Sequence, residues 1–458
     1  MPLTPWATPA FTMIRTIPLW LLLLCGTLAA QDVPYSPSQP GFHAATVELA
    51  RFCLSNNLFS QGKELRDEAL KGASAGSDEK LAAEKLAQEF DLAKPDVYTA
   101  KAWGEFLDKR EALQKQRAEA AWKALGRAGI QTVQNLDWDH KAAREAYGYE
   151  WLDGVGWLKP AEVARLKPCV HALKDAPAKN ERVATWASPY VLVGEHFTLV
   201  TDLPWWRALR YTKLLDRFYN TFFELFGDVI PRRAGINLVW LCAKAEDFIK
   251  VSAEFDFAMT EKHEGAYLRW HGFSVINAQR ADEVGRLNKA RDNLARTLYH
   301  EGVHRIVEAG CCGKLPMSAA WGSYSEPHGW IVEAIAIVFE NLEIKDKGHS
   351  LSSLEAQRTF SLGKMKKAES YPSLAPIFRQ NTAEFGTSEP IHVADKYAVA
   401  GSVAWYCLFV KKADYRSAFL GLLIDQYRGD TKARNFEARF GVKLEDFEKA
   451  WKSYAFGK

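Results

Sequence analysis

The stretch "TLYHEGVHRIVEAG", residues 297–310, carries two histidines four positions apart, with a glutamate directly after the first. In an α-helix, residues i and i+4 share a face, so His300 and His304 can aim their imidazoles at one point while Glu301 borders it one position round. This is the H-E-x-x-H arrangement: two neutral imidazole nitrogens for a metal, and a carboxylate placed to take a proton from water. Zinc suits it because it takes nitrogen and oxygen donors in a tetrahedral shell and brings the pKa of a bound water to about 7. The plain alternative is two histidines on an ordinary amphipathic helix. Gly302 is expected to loosen this helix and Gly310 to end it.

A third ligand is expected in "WIVEAIAIVFENL", residues 330–342, where Glu333 sits inside an almost wholly apolar helix. Pro327 suits the start of that helix. A carboxylate buried there costs several kcal/mol unless a cation or hydrogen-bond donors meet it. Zinc is one such cation; Arg305 or Arg296 is the alternative. Glu340 follows seven residues later on roughly the same face and is a candidate to accept a hydrogen bond from a ligand histidine.

"HEGVH" followed by "WIVEAIAIVFE" resembles the gluzincin type of zinc metallopeptidase, in which a glutamate in a W-x-x-E-G-x-A-like helix completes the H-E-x-x-H site. The similarity is to secreted, mostly uncharacterised bacterial gluzincin-like proteins. It implies His300, His304 and Glu333 as metal ligands and Glu301 as general base. "HFTLVTDLPWWRALRYTKLLDRFYNTFFELFG" and "INLVWLCAKAEDF" look like the strand-helix-strand opening of such domains, and "DKYAVAGSVAWYCLFV" through "RFGVKLEDFEKAWKSY" like their helical tail. The resemblance also implies a tyrosine at the start of a late helix, here Tyr397, as the donor to the oxyanion. "GAYLRWHGFSVINA" would then contain the edge strand along the cleft, where an extended peptide adds by main-chain hydrogen bonds. Two departures stand out: Ala334 replaces the usual Gly, and Ile337 occupies the position where thermolysin-like members carry an Asp that supports a ligand histidine.

Outward from this site, the residues themselves place β-like runs at "YVLVG", "HFTLVTDL" and "INLVWLC", a helix opened by Pro204, and mainly helical sequence after residue 287. Residues 41–175 read as helical, rich in Ala, Leu, Glu and Lys, and the polar "LKDAPAKNER" separates them from the more strand-rich sequence beyond it. The expected architecture is α+β: a helical N-terminal domain over 41–175, then a zincin-like, thermolysin-type catalytic domain over 182–458 with a helical C-terminal part. "MIRTIPLWLLLLCGTLAAQD" has the layout of a secretory signal peptide, so residues 1–30 are read as a leader, with Met1 or Met13 as the start. The protein is therefore expected to be secreted or periplasmic, with no membrane span once the leader is removed.

Six cysteines remain beyond the leader, Cys53, Cys169, Cys242, Cys311, Cys312 and Cys407, either paired or buried as small apolar side chains. None forms a C-x-x-C pair, which argues against a thiolate zinc site. The 458-residue chain has a net charge of +3, which gives no reason to expect a nucleic-acid partner. His328 and His392 are alternatives to Tyr397 as the oxyanion donor, and His263 and His271 flank the expected edge strand.

The functional expectation is a secreted zinc metallopeptidase acting on peptide or protein substrates. The alternative is a zincin-fold protein that holds zinc and a polypeptide or glycan but cleaves poorly; the intact Glu301 argues against it. A third reading, a helical scaffold with incidental histidines, is opposed by Glu333 in its apolar helix.

Overall fold

In the computed structural model of the protein, the described residues are 40–86, 96–180, 182–233, 235–269, 271–288, 292–313, 327–345, 347–352, 356–387, 391–429 and 436–457. The leader expected over residues 1–30 lies outside them.

The first described elements are helices: α1 (Pro40–Ser55), α2 (Phe59–Gly72), α3 (Asp78–Leu86), α4 (Ala100–Leu125), α5 (Ile130–Leu136) and α6 (Lys141–Ala146). The Thr99 hydroxyl starts α4 by accepting from the Ala102 N–H, a donor the helix itself leaves unmet. A small hairpin, β1 (Glu150–Leu152) and β2 (Gly156–Leu158), and α7 (Pro160–Leu166) lead into the sheet.

Six strands form that sheet: β3 (Val170–Ala172), β4 (Tyr190–Val193), β5 (Phe197–Thr201), β6 (Asn237–Cys242), β7 (Gly265–Leu268) and β8 (Phe273–Asn277), in the order β3-β4-β5-β6-β8-β7. The pairings β4–β5 and β7–β8 are antiparallel and the other three parallel. β3 comes from upstream of the polar stretch read as a boundary, so that stretch connects two neighbouring strands of one sheet.

Between β5 and β6 runs α8 (Trp205–Phe226), and between β6 and β7 runs α9 (Ala245–Glu254). The strands obey a period of two. Phe197, Leu199, Val239, Leu241 and Ile276 face the main core, whereas Val200, Leu238, Trp240, Phe273 and Val275 face a second core under β1, α7 and α9.

The rest is mostly helical: α10 (Ala278–Leu287), α11 (Asn293–Cys312), α12 (Trp330–Phe339), the hairpin β9 (Leu342–Ile344) and β10 (His349–Leu351), α13 (Ala356–Lys367), α14 (Leu374–Phe378), α15 (Thr382–Phe385), α16 (Val393–Trp405), α17 (Lys412–Arg428), α18 (Phe436–Phe440) and α19 (Leu444–Phe456). The architecture is mixed α+β, as composition and periodicity led one to expect. The main core is continuous from Val47 and Trp103 in the N-terminal helices to Trp451 in α19. Among the described residues, no helix is long and apolar enough to cross a membrane.

Asp292 caps α11 by accepting from the Ala295 N–H, and the helix ends at Gly313, whose φ is +61°. Gly310 does not end it. The missing side chains of Gly302 and Gly310 serve close packing instead: a Cβ would lie 2.9 Å from the Phe218 ring at Gly302 and 2.4 Å from Ile230 at Gly310. α12 is packed on its other side by Phe222 and Phe226, whose rings lie 5.3 and 5.9 Å from that of Phe339. Each such buried ring contributes about 2 kcal/mol, so the two helices that carry the conspicuous histidines and glutamates are held against a rigid wall. The six cysteines beyond the leader are all buried and unpaired.

Candidate metal centre

α11 presents His300 and His304 on one face, with ring centroids 5.1 Å apart. α12 crosses this face and delivers Glu333 between them. His300 Nε2 is 3.2 Å from Glu333 Oε2, and His304 Nε2 is 3.7 Å from Glu333 Oε1. One ligand atom from each of the three residues falls within a 4.8 Å cluster. Donors around a tetrahedral zinc, at Zn–N and Zn–O distances near 2.0–2.1 Å, lie about 3.3 Å from one another. The donor types and their spacing fit such an ion.

The far side of each imidazole is also held. His300 Nδ1 lies 3.1 Å from Glu340 Oε1, and Arg358 grips the same carboxylate through Nη2 at 2.9 Å and Nε at 3.2 Å. In the neutral tautomer that donates Nδ1–H to Glu340, the Nε2 lone pair of His300 is open to a cation in place of the proton now shared with Glu333. Glu340 thus fills the place that the isoleucine at 337 leaves open. His304 Nδ1 faces the Tyr427 hydroxyl at 3.4 Å, a neutral partner from α17. The two histidines are supported differently, one by an anion and one by a phenol.

Electrostatics follow from this geometry. Burial works against charge on His300, but the hydrogen bonds to Glu333 and Glu340 and the nearby Glu301 outweigh it and raise its pKa to about 10. Burial dominates at His304 and lowers its pKa to about 4 despite Glu333. Burial also pushes the Glu333 and Glu340 carboxyls up, yet the histidines, Tyr397 and Arg358 overcome this and hold both well below the usual carboxylate range. The pocket therefore favours a positive charge. Glu301 differs: burial, reinforced by Glu333, lifts its pKa to about 7 against the opposing pull of His300.

Gly265, at the start of the edge strand β7, sits where a Cβ would be 3.3 Å from Glu301 Cγ. β7 pairs only with β8 within the sheet, so its other edge runs beside Glu301. Tyr397, near the start of α16, stands beside the cluster: its phenol helps hold the Glu333 carboxyl down, burial and Glu333 push its own pKa up, and the Arg358 guanidinium lies 5.1 Å from its ring centroid.

The other candidates fall elsewhere. His328, at φ +72°, accepts from the Trp330 indole, while its backbone N–H donates to the Phe378 carbonyl. His392 caps α16. His263 accepts from Thr260 N–H, and His271 packs against Phe255. The arginines weighed as partners for Glu333 also lie elsewhere: Arg296 is 3.5 Å from Glu264, and Arg305 donates to the Ile236 carbonyl.

Three contributors escaped the sequence reading. Glu308, one turn after His304 on the same face, takes hydrogen bonds from Tyr267 and Arg269; its i+4 spacing was a readable signal. Arg358 and Tyr427 carried no local signal. No protein-family model matches the chain, and no curated protein matches it.

Proposed function

We propose that the protein is a zinc-dependent metallopeptidase in which His300, His304 and Glu333 hold the ion. The observation that carries this reading is the convergence of two imidazole nitrogens and one carboxylate, with each imidazole backed by its own hydrogen-bond partner. A zinc ion held by these donors supplies a polarised carbonyl and a water acidic enough to lose a proton near neutral pH. Glu301, buried next to His300, would take a proton from a water as its oxygen bonds to the carbonyl carbon, and would pass that proton to the amine nitrogen as the C–N bond breaks. Tyr397 stands beside Glu333 and is the donor for negative charge developing on the carbonyl oxygen. Among the described residues β7 is an end strand of the sheet, and its edge away from β8 favours an extended polypeptide as substrate, since main-chain groups there can hold a strand beside Glu301.

The test is metal analysis of the purified chain together with hydrolysis of an unfolded protein by wild type and Glu301→Gln. The expected result is one zinc per chain in both proteins and cleavage by wild type alone. Metal-free wild type at saturating zinc overturns the reading. Zinc without cleavage in either protein replaces it with a binding protein on the same site.

A further inference from the structure

The N-terminal helices meet the rest of the chain at two places that bear on His304. The first is the end of α11. The Trp103 indole of α4, fully buried, donates to the Gly310 carbonyl at 3.0 Å, and the last turn of the histidine helix is tied there. The second is the last turn of α17. Asp425, fully buried, accepts from the Tyr98 hydroxyl at 2.8 Å and from Arg439 Nε and Nη2 at 2.7 and 2.8 Å. Arg439 also donates to the Asp96 carbonyl, and the Arg428 guanidinium lies 4.9 Å from the Trp103 ring centroid and 3.3 Å from Glu64.

At about 100° per residue, positions 425 and 428 lie within about 60° of one another on α17, and 427 lies about 160° round from 425. On that opposite side Tyr427 reaches His304 Nδ1. The Tyr427 carbonyl accepts from Arg269 at 2.8 Å and from the Cys312 thiol at 3.3 Å, which pins the same turn to α11.

We infer that the N-terminal helical layer is a positioning element of the metal centre: Tyr98, through Asp425, sets the last turn of α17, and Tyr427 on its other face sets the His304 ring. This rests on the proposed metal site and goes beyond it, because it makes the layer part of the working unit rather than a removable pro-segment. Tyr98 and Tyr427 are positioning residues, since neither supplies a ligand atom to the cluster.

The experiment uses the full chain, with cobalt(II) replacing zinc so that the visible spectrum reports ligand geometry. Tyr427→Phe should weaken metal binding about tenfold and shift the cobalt bands, as expected for loss of a group that orients a ligand. Tyr98→Phe removes only a hydroxyl more remote from the ion. It should weaken binding roughly threefold or more and shift the bands in the same direction, and the double variant should lose less than the sum of the two. Trp103→Phe is an independent probe with the same expectation should Tyr98→Phe fail to fold. Val133→Ala, in a small cluster elsewhere in the layer, should lower stability and leave the spectrum unchanged.

Wild-type affinity and spectrum in folded Tyr98→Phe and Trp103→Phe overturn the inference, as does strict additivity of the two tyrosine changes. A wild type that binds no cobalt overturns the metal reading instead. The nitrogen chemical shifts of the His304 imidazole in metal-free protein then decide the inference separately: a shift caused by Tyr98→Phe supports it, and identity with wild type ends it.

Discussion

Two buried clusters of charge lie on opposite faces of the last turn of α17. In one, the Asp425 carboxylate meets the Arg439 guanidinium through two hydrogen bonds and a phenol through a third. Charge and hydrogen-bonding capacity are matched there. In the other, the carboxylates of Glu301, Glu333 and Glu340 gather around two imidazoles, with Arg358 as the neighbouring guanidinium on Glu340. Three carboxylates share one guanidinium there, so their charge is met only when an imidazole or another cation is charged beside them, and ligand atoms from three residues turn toward one point. The first arrangement stabilises a fold, because neither ion is left alone in a low dielectric. The second is costly for a fold by itself and suits a cation. Burial of charge does not separate a structural cluster from a ligand site; balance and convergence do.

The largest expected effect lies on the chemistry. Glu301→Gln should lower hydrolysis by about 10³-fold, within the usual range for removing a general base, with metal content unchanged by elemental analysis. Residual activity near that of wild type would take Glu301 out of the mechanism. Next is the closed cluster. Arg439→Met leaves Asp425 buried without its ion partner and should cost about 3–5 kcal/mol in denaturant unfolding, yet the folded fraction should still take up one zinc at saturation. A loss below about 1 kcal/mol would mean that this cluster is not the matched pair described.

The third prediction concerns pH. Burial lowers the His328 pKa to about 4 in spite of Asp425 nearby. The folded-state value lies below the ordinary 6.5, so the unfolded chain binds more protons in between, and stability falls as pH drops from 6.5 toward 4. In chelator, His328→Asn, a residue that tolerates positive φ, should remove up to about 3 kcal/mol of that acid loss. An unchanged acid limb would contradict a neutral, buried His328. The smallest effect is at the support of His300. Glu340→Gln should weaken zinc binding about 10- to 100-fold in a competition titration with a chromophoric chelator, while Arg439→Met should weaken it less. The reverse ranking would break the distinction between the two clusters.

Much of the candidate metal centre was legible because it obeys local rules. His300 and His304 are one helical turn apart, Glu333 is a charge in an apolar helix, and Glu340 lies two turns further along the same element. Each is a statement about spacing or about the cost of burial, and both survive without knowledge of neighbours. Gly310 shows the limit of such rules. As a helix terminator it read plausibly, but α11 continues past it, and the glycine serves packing instead, since a Cβ there would meet Ile230. The polar stretch near residue 180 read as a division between units, yet Val170–Ala172 pairs with β4 across it, since three residues are too short a run for a strand to be recognised by alternation.

By itself, the sequence determined that two imidazoles share a helix face bordered by a carboxylate, that a second carboxylate is buried in an apolar helix in need of a cation or donors, and that strands precede helices around them. The tertiary structure decided which side chain stands behind each histidine. Arg358 and Tyr427 reach the site from 58 and 123 positions beyond His300 and His304, respectively, a relation that helical periodicity does not encode. It also decided that the N-terminal helices share a core with α11, α12 and α17. That follows from packing: an apolar face records that it must be covered, and only the fold selects what covers it.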